Sequence, residues 1–222
     1  MKFLTLFFVP VLLAATSAGP VVSWTKTQEI RPGWYSMNGR YPQFKGNAVA
    51  KFASAELRKA ALSRIAGFKK DAEADNEKPE RAWEVTWNGK VSAANDGFIS
   101  VLASCDWYTG GAHPNRDYQG LNFAMKGGKA KRIGLADIML VRMTPDALAS
   151  QIVLPKLKAM GASGVVDAEV TSLTRQQADN FVITKSGLTW LFSPYEVASY
   201  AEGEFFVKVS WAELKGKVSM DF

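Results

Sequence analysis

The hydrophobic period switches from helical to alternating twice along the chain, and this constrains the fold more than any other feature of the sequence. From Asn47 to about Asp71, Val49, Phe52, Leu57, Ala61, Ile65 and Phe68 recur at spacings of three to five, with Lys51, Glu56, Arg58 and Lys59 between them. One amphipathic helix satisfies that pattern. Beyond the polar stretch Asp71 to Pro79, Trp83, Val85 and Trp87 alternate with Glu84, Thr86 and Asn88, the period of a half-buried strand. Asn88-Gly89, Asp96-Gly97 and Gly127-Gly128 are pairs that tolerate the positive φ of tight hairpin turns, so a meander is expected to follow. Thr144-Pro145-Asp146 then combines a hydroxyl cap, a proline where no N–H is needed and a carboxylate in the first turn of a second helix. Leu148, Ile152 and Leu157 supply its apolar stripe, Gly161 its end, and Pro155 predicts a kink. Phe181–Thr184, the turn Lys185-Ser186-Gly187, the set Leu188, Trp190 and Phe192, and Phe205–Val209 return to strands. Helix followed by strands, twice, predicts an α+β chain of antiparallel sheets packed against two main helices.

The first residues have the layout of a secretory signal peptide: Lys2, an apolar run from Phe3 to Ala15, then Thr16-Ser17-Ala18. The run is shorter than the roughly 20 residues that span a bilayer and Pro10 interrupts it, so cleavage near residue 18 is expected rather than anchoring. No later stretch is long and apolar enough to re-enter a membrane, and with the leader removed the mature protein is expected in the periplasm or the medium. Losing Lys2 with the leader lowers the net charge from +6 to +5. That excess favours anionic partners, but without the concentrated basic runs of a nucleic-acid binder. Residues 19–39 are expected to be an extended segment.

One Cys and one His among 222 residues leave no ligand set for a zinc site and no internal disulfide, and no cofactor is expected. Cys105 falls on an alternating apolar face with Val101, Ala103 and Trp107, beside the polar set Ser100, Ser104 and Asp106, so a buried, inert thiol is expected. The segment Asp106 to Pro114 contains Tyr108, Gly110, Gly111 and His113. Its glycines open backbone conformations closed to other residues, and its reading is either a turn leaving a strand or a loop presenting amides to an anion. A relay of a serine, His113 and Asp106 or Asp117 is compatible with spacing, yet no Gly-x-Ser-x-Gly elbow marks a nucleophile. Glu196 and Glu202 form a carboxylate pair among Tyr195 and Tyr200, with a separation that sequence does not set. Lys126, Lys129, Lys131 and Arg132 cluster at a hairpin, as a solvated turn or as a contact for an anionic polymer. The tryptophans mostly occupy alternating core positions, whereas Trp34 and Tyr35 lie in an irregular, open segment.

Two motifs, Tyr108-Thr109-Gly110-Gly111-Ala112-His113 and the stretch Phe192 to Gly203 with Pro194-Tyr195-Glu196, resemble the extracytoplasmic domain family shared by the anti-sigma-V lysozyme receptor and the amino-terminal domain of a peptidoglycan deacetylase, a domain of unknown function. Tyr41-Pro42-Gln43-Phe44 resembles the opening of the same module. The resemblance covers residues 40–218, with a division into two subdomains expected near 140–165. It implies an α+β envelope module and, in the receptor, capture of lysozyme. The receptor's transmembrane helix and cytoplasmic sigma-binding segment have no counterpart here, and neither does the deacetylase's metal-dependent catalytic domain.

The expectation is therefore a secreted, non-enzymatic binding module of the bacterial cell envelope, its ligand peptidoglycan or an associated polymer. Tyr108, Gly110, Gly111, His113, Tyr195, Glu196 and Tyr200 are its candidate binding residues, unless these motif positions serve folding. A lysozyme-binding or lysozyme-inhibiting protein is the second reading, against which the repulsion between a basic lysozyme and a +5 chain counts. An envelope hydrolase using His113 is the third.

Overall fold

A computed structural model describes residues 19–74 and 77–220; the leader expected over residues 1–18 lies outside them. The elements in chain order are β1 (Val21–Arg31), β2 (Tyr35–Lys45), α1 (Ala48–Ala72), β3 (Trp83–Ala94), β4 (Phe98–Tyr108), β5 (Asn115–Lys126), β6 (Lys129–Arg132), α2 (Leu135–Ile138), α3 (Pro145–Ala159), α4 (Ser163–Val166), α5 (Arg175–Ala178), β7 (Phe181–Thr184), β8 (Gly187–Phe192), β9 (Phe205–Ser210) and α6 (Trp211–Leu214). They form a curled six-stranded sheet in the order β1-β2-β3-β4-β5-β6 and a three-stranded sheet in the order β7-β8-β9. The class is mixed α+β, with α1 and α3 as the two main helices.

Helix α1 begins where Asn47 accepts a hydrogen bond from the Ala50 N–H at 3.1 Å, satisfying one of the free donors of the first turn. Val49, Ala50, Ala53, Leu57, Ala61 and Ile65 then recur every one to four residues and bury a stripe against Met37, Val85, Trp87, Ile99, Val101, Leu121 and Phe123 of the six-stranded sheet. Each large apolar side chain so enclosed contributes on the order of 2 kcal/mol. The same helix crosses between β2 and β3, and this is why they pair in parallel while every other neighbour in both sheets is antiparallel.

The expected extended segment 19–39 is the β1–β2 hairpin, whose strands pair along their full length from Val21↔Lys45 to Arg31↔Tyr35. Tyr35 and Met37 are buried in β2, while Trp34, in the turn between the two strands, sits under the Arg31 guanidinium at 3.6 Å. Asn88-Gly89 is not a turn. Strand β3 runs through it, pairing Asn88 with Ser104 and Gly89 with Ala103, and a side chain at Gly89 would press on the Pro42 ring and on Trp87. The hairpin closes instead at Asn95, whose side chain accepts from the Gly97 and Phe98 N–H groups. Gly127 and Gly128, at φ 59° and 74°, form the two-residue turn expected of them.

Helix α3 is capped by Thr144, which accepts from Ala147 N–H, and it continues through Pro155 to Ala159. Leu148, Ala149, Val153 and Leu157 pack on Phe181, Ile183, Leu188, Trp190, Phe192, Val207 and Val209 of the three-stranded sheet. This second core also recruits Ala124, Ile133, Leu135 and Ile138.

The two sheets meet through polar side chains. Ser100, on the face of β4 turned away from α1, is fully buried; it donates to Asn122 Oδ1 at 2.6 Å and accepts from the Ile183 N–H at 2.8 Å. Asn122 Nδ2 donates to the Phe181 carbonyl at 2.7 Å. Strand β7 is an edge of its sheet, and these bonds satisfy backbone groups that would otherwise be buried without partners. A Cβ at Gly120 would overlap the Phe181 carbonyl, so only glycine lets β5 and β7 approach this closely.

Candidate functional site

Strand β6 pairs only with Phe123 to Lys126, which leaves the first half of β5 as a free edge beside the three-stranded sheet. Side chains from other elements fill the hydrogen bonds of that edge. Asn180 accepts from Gly120 N–H at 2.8 Å and donates to the carbonyls of Tyr118 and Leu191, while Ser193 accepts from Tyr118 N–H at 3.0 Å. Along this edge runs a cleft of about 820 Å³, walled by the second half of α1, by β3, β4 and β5, and by α5 and the loop after β8. It contains aromatic faces, Trp87, Trp107, Tyr118 and Tyr195, together with Arg64, Arg116, Arg132, Asp117, Asp179 and Glu196.

Most of these charges are already matched. Arg64 reaches Asp117 at 2.5 Å and lies over the Trp107 ring at 5.1 Å. Burial pushes the Asp117 carboxyl above its ordinary value even with that guanidinium beside it. Arg116 is paired with Asp106. Asp179 accepts from Arg175 Nε and from the Leu135 N–H, both at 2.7 Å. Cys105, on the cleft wall, is 1% exposed, and burial raises its thiol to about 11, which keeps it protonated and unreactive at neutral pH.

The two sequence motifs meet beside this cleft, and of their candidate residues only Tyr195 and Glu196 line it. Glu196 and Tyr195 line it; Tyr195 is 65% exposed and adopts a φ of 72°. His113 stacks on Tyr200 with ring centroids 3.8 Å apart, and Tyr200 lies 5.4 Å from Tyr195. His113 Nδ1 is 2.9 Å from the Pro114 carbonyl, which only accepts, so that nitrogen carries a proton, and Nε2 lies 3.4 Å from the Tyr195 hydroxyl. Tyr200 donates to the same Pro114 carbonyl at 2.6 Å. Tyr108 is drawn to a different partner, lying under the Arg81 guanidinium at 4.6 Å. Gly110, at φ 91°, supplies the bend of the loop, and Gly110 and Gly111 both face open space.

No hydrogen bond in this arrangement joins His113 to Asp106 or Asp117. His113 bonds to Pro114 and Tyr195, whereas Asp106 and Asp117 are held by Arg116 and Arg64. The carboxylates of the expected Glu196 and Glu202 pair serve separate pieces of backbone. Glu196 accepts from the Ser193 N–H at 2.5 Å, and burial raises its pKa above the ordinary carboxylate range. Glu202 accepts from the Ser163 and Ser199 side chains and backbone N–H groups, which hold it down to about 2. In the basic hairpin, Lys126 and Lys131 share Asp137, while Arg132 turns into the cleft. Among the described residues no group of three or more His, Cys, Asp and Glu is placed to hold a metal ion, and no helix is long and apolar enough to cross a membrane. Arg64 and Asn180 carry no sign of the site in the sequence, since they come from a helix and a later loop, whereas Arg132 belongs to the basic cluster for which contact with an anionic polymer is one reading.

Comparison with known proteins matches two stretches of the chain to two family descriptions. Residues 32–116 match the family model described as deacetylase PdaC, and residues 145–212 match that of a protein of unknown function, DUF3298. No curated protein matches the chain. A DUF3298 family protein from Pseudomonas aeruginosa PAO1 has a similar structure, with a TM-score of 0.65 at 17% identity over 90% of this chain and 95% of its own. A member of the same family from Bacteroides fragilis NCTC 9343 aligns with a TM-score of 0.62 at 13% identity, covering 91% of this chain and 94% of its own. His113 lies in the first matched segment and Tyr195 and Tyr200 in the second, so their contact joins the two. The chain thus carries a PdaC-type segment followed by a DUF3298-type segment on the fold of solved DUF3298 proteins, the family of unknown-function domains that its two motifs resemble.

Proposed function

We propose that the chain is an exported, non-enzymatic binding module of the bacterial cell envelope, and that it holds peptidoglycan or an associated polymer in the cleft between its two sheets. The observation that carries this reading is the cleft itself: four aromatic side chains and several charged ones line about 820 Å³ of open groove, and Tyr195 and Glu196 of the second motif stand on its wall. The exposed face of Tyr195, beside the partly buried Trp107 and Tyr118 rings and fixed hydrogen-bonding groups, suits a polar polymer that also offers apolar ring faces. A binding role also agrees with how the candidate catalytic groups are engaged, His113 by Pro114 and Tyr195, Glu196 and Glu202 by backbone amides. The test is cosedimentation of purified protein with insoluble cell-wall material at low ionic strength. Retention in the pellet that weakens on Tyr195→Ala supports the reading, and protein left wholly in the supernatant refutes it.

A further inference from the structure

An arginine side chain carries five N–H donors in a planar fork that matches a carboxylate. Three arginines line the cleft, and two are neutralised there, Arg64 by Asp117 and Arg116 by Asp106. Arg132 differs. Its one hydrogen bond to the protein runs from Nη2 to the Gly120 carbonyl at 3.2 Å, and among the described residues no carboxylate forms an ion pair with it. Asp179, on the same wall, is engaged by Arg175 and the Leu135 N–H, and it and Glu56 act on Arg132 as neighbouring charges without forming an ion pair with it. The neighbouring basic residues of the hairpin, Lys126 and Lys131, are spent on Asp137.

We propose that Arg132 is the carboxylate receptor of the cleft: a ligand bearing a carboxylate places it against the free donors of this guanidinium, with its rings on the aromatic wall. The bond to Gly120 fixes the guanidinium at the edge of β5, so it is pre-oriented for an incoming anion. The inference rests on the function proposed above and sharpens it, because it selects carboxylated stretches of an envelope polymer over neutral ones.

The experiment is calorimetric titration of the purified protein with soluble glycan fragments of peptidoglycan freed of their stem peptides, in two forms, one with its muramyl carboxylates free and one with them reduced to primary alcohols. The carboxylated form is expected to bind about tenfold tighter or more, as a charge-assisted hydrogen-bonded pair implies. Arg132→Gln is expected to remove that preference by weakening only the carboxylated form, and Arg132→Lys, which keeps the charge without the fork, to retain part of it. Equal binding of the two forms by the unaltered protein, or a preference that survives Arg132→Gln, overturns the inference and leaves the envelope-binding function standing. Failure of both forms to bind, together with failure to sediment with cell wall, overturns both readings, and failure of the carboxylated form alone overturns the inference.

Discussion

The interior of each layer and the seam between the layers are built on opposite principles. Against the six-stranded sheet α1 lays alanines, Val49, Leu57 and Ile65, and α3 covers the three-stranded sheet with Leu148, Val153 and Leu157. Such contacts are non-directional and tolerate small shifts. Where β4 and β5 face β7, by contrast, buried Ser100 and Asn122 bond to specific backbone atoms of Phe181 and Ile183, and Gly120 allows the approach. Hydrogen bonds of this kind add little net stability but are costly to leave unmade. The seam therefore fixes how the sheets are placed, and the cleft opens along the free edge of β5 beside it.

Substitutions can break that contrast. The largest effect is expected in a core: Trp190→Ala removes a fully buried indole whose Nε1–H donates to the Ala178 carbonyl at 3.0 Å, and it should cost about 3–5 kcal/mol in denaturant unfolding. At the seam, Gly120→Ala forces β5 away from the Phe181 carbonyl and should cost about 3 kcal/mol, with loss of wall binding in the protein that remains folded. Asn122→Ala leaves the Phe181 carbonyl without its donor and should cost about 1–3 kcal/mol. Its signature in amide hydrogen exchange is faster exchange at Ile183, whose N–H is bonded to Ser100, with the α1 amides unchanged.

The smallest effect concerns acid. Glu202 and Glu213 have folded pKa values near 2 against an ordinary 4.5, so the stability they contribute is present above about pH 4.5 and is lost as pH falls through about 2. Glu202 is held down first by the Ser163 hydroxyl and Glu213 first by Lys156. Acid titration followed by circular dichroism should show a shallower loss below pH 4.5 in Glu202→Gln than in the unaltered protein. An identical slope would show that these caps do not bear on folding.

What the sequence makes legible follows from which interactions are local. The start of α1 at Asn47 and of α3 at Thr144, the turn at Gly127-Gly128 and the burial of Cys105 all depend on residues a few positions apart, and each is found as expected. The β1–β2 hairpin escaped because β1 is exposed along nearly its whole length and so shows no alternation of apolar and polar residues. Ser100 reads as an outward polar position in β4, and only the docking of β7 makes it interior. The convergence of His113 with Tyr195 and Tyr200 links positions more than 80 residues apart, although each motif is visible alone. Arg64 and Arg132 look like surface cations of a helix and a hairpin, and their place in the cleft is set by tertiary packing that no local pattern encodes.

Hydrogen exchange of the full protein with and without soluble cell-wall fragments addresses the central claim, that the groove beside the seam is where an envelope polymer is held. Protection concentrated at Asn115 to Gly120 and Asn180 to Glu196, with β1 and α3 unaltered, is the predicted result. Saturating fragments that leave those two segments exchanging at their free rates, or protection confined to β1, would contradict it.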